Sequence, residues 1–144
     1  MAYFSSITTP KNIYMKTFIS TLTLFLGLVL TSFTTQKSSL DQVIEALAEG
    51  KASELGKYMD DNIEITLPDK SNSYSRSQAV SILKDFFDNN EVKSFEIKHK
   101  GDQNGGQYCV GSLITKSGSF RTTVFMKNKG GRTVIREIRF QLIE

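Results

Sequence analysis

The chain has 144 residues, of which 39% are hydrophobic and 23% charged, and a formal net charge of +3. That composition suits one ordinary globular domain and excludes a disordered or collagen-like chain. The single cysteine, Cys109, cannot form an internal disulfide, and the single histidine, His99, removes every site that needs two imidazoles, including HExxH and Cys2His2 zinc centres. With the acids scattered as well, no metal and no cofactor is expected.

Residues 1–35 differ from the rest: they hold Lys11 and Lys16, no acid, and an apolar run from Phe18 to Phe33. A short basic segment followed by an apolar one is the layout of an export signal. Met15-Lys16 stands directly before the run, which makes Met15 a candidate start. The run is interrupted by hydroxyl residues and falls short of the roughly 20 apolar residues that a spanning helix needs. Cleavage is therefore expected, giving a periplasmic or extracellular domain over 36–144 that meets the membrane only through an uncleaved leader. Loss of the leader removes two lysines and no acid. The remaining chain is close to neutral and lacks the uniform positive surface of a nucleic-acid binder. Its charge is uneven, with eight acids and two lysines over 41–69 but nine bases and two acids over 98–139. Such runs read as two solvated faces of opposite sign.

Within the domain, helices come first and strands afterwards. Ser39 is placed to cap a helix whose Leu40, Val43, Ile44 and Leu47 follow helical spacing, and Gly50 to end it. A short helix is predicted over 52–59, broken by Asp60-Asp61-Asn62. Ile63, Ile65 and Leu67 then alternate with polar residues as a strand that Pro68 ends. Ser75 followed three residues later by Gln78 forms a capping box leading into a helix with Ala79, Leu83, Phe86 and Phe87 that closes at Asn89-Asn90. Four strands are predicted near 92–100, 107–116, 119–127 and 133–143, and the turn-rich separators between them imply antiparallel hairpins. Helices segregated onto one face of an antiparallel sheet make an α+β domain.

That order of elements resembles the cone-shaped nuclear-transport-factor-2-like (NTF2-like) fold. The segments Val43-Ile44-Glu45-Ala46-Leu47, Tyr74-Ser75-Arg76-Ser77-Gln78-Ala79, Leu83-Lys84-Asp85-Phe86-Phe87 and Tyr108-Cys109-Val110-Gly111-Ser112-Leu113 further resemble a family of small exported bacterial domains of unknown function, over nearly all of residues 40–143. The resemblance implies the fold and export but carries over no catalytic residues. The wider superfamily holds ketosteroid isomerase-like and dehydratase-like enzymes as well as binding and dimerisation modules, so fold alone selects no activity.

In such a fold, sheet and helices enclose a cone, and its pocket candidates here are Tyr74, Phe95, His99 and Tyr108. If the loop 102–106 closes its hairpin, His99 lies opposite Cys109, but a thiol-imidazole nucleophile has no third, orienting group in this sequence. Isomerase-type chemistry would need a carboxylate base with a tyrosine donor in an apolar cavity. Tyr58, Tyr74 and Tyr108 are the donors to weigh, and Asp60, Asp61 and Asp85 the bases, though turn and helix-surface settings favour solvation of all three acids. Arg121, Lys127, Arg132, Arg136 and Arg139 form a basic strip on the last hairpin. Two functions remain open. One is a non-catalytic domain that binds a small apolar or amphipathic ligand in its cone, or a protein, including a second copy, on its open sheet face. The other is a small isomerase- or dehydratase-type enzyme.

Overall fold

A computed structural model describes residues 35–144. The predicted export leader and Met15 lie outside the described residues, as does the bond at which cleavage is expected.

Helix α1, Ser39–Glu49, is capped one residue earlier than expected: the Ser38 side chain accepts from the Asp41 amide at 3.1 Å. Gly50 ends it in a left-handed conformation at φ 64°, with the Gly50 and Lys51 amides donating back to Leu47 and Ala46. Helix α2 is brief, Ala52–Gly56, because the chain turns into strand β1 (Met59–Leu67) four residues before the alternation of Ile63, Ile65 and Leu67 becomes visible. Pro68 and Asp69 then make a tight turn into β2, Lys70–Ser75. No strand was expected there, since Lys-Ser-Asn-Ser-Tyr-Ser offers no apolar alternation.

Helix α3, Arg76–Asn90, begins with the full capping box. The Ser75 hydroxyl accepts from the Gln78 amide, and the Ser75 amide donates to the Gln78 side chain. Strands β3 (Val92–Gln103), β4 (Gly106–Thr115), β5 (Gly118–Lys129) and β6 (Arg132–Leu142) follow as an antiparallel meander. The six-stranded sheet runs β2-β1-β6-β5-β4-β3. Its β1–β6 ladder is parallel, so the sheet is mixed where hairpin logic alone predicts an antiparallel one. Register shifts in β1, β3 and β6 bend the strands into the curved sheet of the cone.

The helices cover one face of the sheet. On that inner face Ile63, Leu113, Val124, Ile138 and Phe140 are almost wholly buried. The rings of Phe86 and Phe87 on α3 close on them: Phe86 lies 4.7 Å from Phe140 and 5.2 Å from Phe120, and Phe87 6.1 Å from Phe140, centroid to centroid. These spacings are those of packed aromatic pairs. The cone is therefore occupied by the protein's own side chains.

Candidate functional site

The four sequence-selected pocket residues fall on different parts of the sheet. Tyr74 lies on β2, paired with Ile63, and Phe95 on β3, paired with Leu113. Both accompany the inner-face core, but from opposite edges of the six-stranded sheet. His99 and Tyr108 lie on the outer face, diagonal to one another on β3 and β4. One pocket does not hold all four.

Cys109 does not face His99. The β3–β4 turn needs only Asn104 and Gly105, both at positive φ (48° and 73°), so Gln103 pairs with Gly106 and Lys100 with Cys109, while His99 pairs with Val110. A shift of one residue sends the two side chains to opposite faces. Burial pushes the Cys109 thiol up to about 11, which leaves it protonated at neutral pH.

The acids offered as bases are placed against that role. Asp60 is buried, with its carboxylate between Lys127 Nζ at 2.7 Å and Lys129 Nζ at 2.6 Å and a further bond from the Asp61 amide. Those hydrogen bonds hold its carboxyl well below the usual range, whereas a base working near neutrality needs the opposite displacement. Asp61 and Asp85 are exposed. The Tyr58 hydroxyl is committed to the Gln42 side-chain carbonyl, tying the end of α2 to α1.

The outer face is built differently. Two aligned rows cross it: Ser71, Thr66, Arg139, Thr123, Val110 and His99 in one, Ser73, Glu64, Glu137, Phe125, Tyr108 and Gly101 in the next. Gly101 has a specific place in the second row. A Cβ there would lie 3.3 Å from the Tyr108 ring, so the missing side chain lets that ring lie across β3. Phe125 is the direct cross-strand partner of Tyr108, and the Arg139 guanidinium stands 5.8 Å from the centroid of the Phe125 ring.

The β6 bulge completes the arrangement. Phe125 pairs with Glu137 and Met126 with Ile135, which leaves Arg136 as the extra residue. Bulges re-aim side chains. Ile135 stays in the core, while Arg136 and Glu137 both border a cleft of about 300 Å³ walled by Tyr108 and Phe125 and rimmed by Gln103 and Gln107. Glu137 accepts a hydrogen bond from Arg139 Nε. Sequence reasoning singled out Arg136 and Arg139 as part of a basic strip. It missed the cleft because nothing in Val-Ile-Arg-Glu-Ile-Arg marks the bulge. Among the described residues, no three or more histidine, cysteine, aspartate or glutamate side chains converge as a metal site.

A family model described as "Domain of unknown function (DUF4783)" matches residues 40–141. A solved DUF4783 family protein from Bacteroides uniformis is 30% identical with a TM-score of 0.72, covering 74% of this chain and 99% of its own. Another, from Bacteroides ovatus, is 30% identical with a TM-score of 0.69, covering 72% and 94%. An NTF2-like protein of unknown function from Cytophaga hutchinsonii shares the fold at 8% identity, with a TM-score of 0.55 over 76% of this chain and 95% of its own. The comparison with curated proteins finds no match. With a helix-covered curved sheet of NTF2-like form and the family pattern running from the first helix to the last strand, the chain belongs to the DUF4783 family of domains of unknown function.

Proposed function

We propose that the protein is an exported, non-catalytic binding domain whose recognition surface is the outer face of its sheet rather than the interior of its cone. The observation that carries this reading is the contrast between the two faces. Leu113, Val124, Ile138 and Phe140 fill the inner side, whereas Tyr108, Val110 and Phe125 stand partly exposed on the outer side near Arg139. Partly exposed aromatic residues next to arginine are the composition of binding surfaces. Acid-base catalysis is less well supported, since both buried carboxylates are paired, Asp60 with two lysines and Glu137 with Arg139.

Native mass measurement of the protein expressed with its own leader tests the reading. The expected result is a processed chain carrying either small-molecule mass or a second copy, with that addition lost in Phe125→Ala. An unprocessed chain would overturn export. An added mass that persists in Phe125→Ala but is lost in Val124→Ala would move recognition into the cone.

A further inference from the structure

We infer that the outer-face cleft binds a small planar monocarboxylate, with its carboxylate on the Arg136 guanidinium and its flat apolar body against Tyr108 and Phe125. This rests on the outer-face reading above and adds the chemical class of the ligand.

Charge decides the anion. Of the ionised side chains that border the cleft, Arg139 is paired with Glu137, and Lys127 shares Asp60 with Lys129. Arg136 has no carboxylate partner among the described residues and is exposed. Arg136 is thus the guanidinium of the cleft that is free to take a carboxylate. A guanidinium presents its donors as a planar fork that fits a carboxylate with two parallel bonds.

Shape decides the remainder. A volume of about 300 Å³ lies at the small end of ligand clefts, suited to a single ring system and not to a long chain. Its walls are the Tyr108 ring laid over Gly101 and the adjoining Phe125 ring. The Gln103 carboxamide at the rim supplies donors and an acceptor for polar substituents. The extra residue in β6 is what brings Arg136 and Glu137 together at this site. With regular pairing, the residue after inward-facing Ile135 would itself stand opposite Phe125, and Arg136 and Glu137 would not share a face.

The probes are acid and amide pairs that differ only in charge: benzoate with benzamide, phenylacetate with phenylacetamide, and indole-3-acetate with its amide. They are titrated into the full chain by NMR. At least one acid should bind about tenfold more tightly than its amide. Arg136→Gln should erase that preference, Arg136→Lys should retain part of it, and Phe125→Ala should weaken acid and amide alike. Lys93→Gln, a charge change on the exposed β3 edge, should leave binding unchanged. Because Arg136 is exposed, its variants are expected to fold.

Equal binding of acid and amide in the cleft would overturn the carboxylate assignment and leave the outer-face reading standing. A preference that survives Arg136→Gln, or no binding by any of the acids up to about 10 mM, would overturn it too. Binding that maps to Leu113, Val124 and Phe140 would overturn both.

Discussion

Asp60 enters β1 with its two carboxylate oxygens divided between Lys127 and Lys129, so a residue whose Asp-Asp-Asn setting reads as a solvated turn joins the start of β1 to the end of β5 across β6. Folding lowers its pKa. The stabilisation is therefore complete above the ordinary unfolded value of about 4 and is lost as pH falls through and below it. Asp60→Asn should cost about 1.5 kcal/mol at pH 7 in chemical denaturation, with the gap to the parent chain closing in strong acid. A gap that stays constant from neutral to strongly acid pH would assign the loss to packing instead of charge. Cys109 gives a second readout at this scale. Buried and protonated, it should react with a thiol reagent at pH 8 only as fast as the protein opens, and rapid labelling of the native chain would contradict its placement. Neither property was legible from residue type. Asp60 depends on lysines almost 70 positions away, and the separation of Cys109 from His99 depends on a turn that uses two residues instead of five.

Elements with strong local chemistry were the legible ones. The α3 start was readable because Ser75 and Gln78 satisfy each other's backbone within four residues, without help from the rest of the fold. Ser75→Ala should lower stability by about 1 kcal/mol. An unchanged denaturation midpoint would mean the cap contributes nothing. The missed strand β2 shows the converse. It is an edge strand with mostly exposed side chains, formed by pairing to β1 and not by any pattern of its own. The β3–β4 hairpin has a constraint that periodicity also hides. A Cβ on Gly111 would lie 2.5 Å from both the Glu96 carbonyl oxygen and the Phe95 ring, so Gly111→Ala should destabilise by about 1–3 kcal/mol. A neutral Gly111→Ala would show that Phe95 packs elsewhere.

For the whole molecule, the order of helices and strands identified the fold class because helical and alternating periods are local, whereas the parallel β1–β6 ladder and the four register shifts arise only when distant segments meet. The uneven charge of the sequence also takes on a different meaning in three dimensions. Two solvated faces of opposite sign were expected. Instead the acidic first half meets the basic second half within the fold: Lys100 bonds to Asp41, and Lys127 and Lys129 to Asp60. The proposed recognition surface is the outer sheet face with its unpaired Arg136. The most direct measurement is a methyl NMR map of the protein, with Val110 and Ile114 reporting from the outer face and Leu113, Val124 and Ile138 from inside the cone, recorded during titration with the acids and amides above. Recognition on the outer face predicts that Val110 moves while the three inner methyl groups stay fixed. Saturable movement of Leu113, Val124 and Ile138 with Val110 unmoved would contradict it.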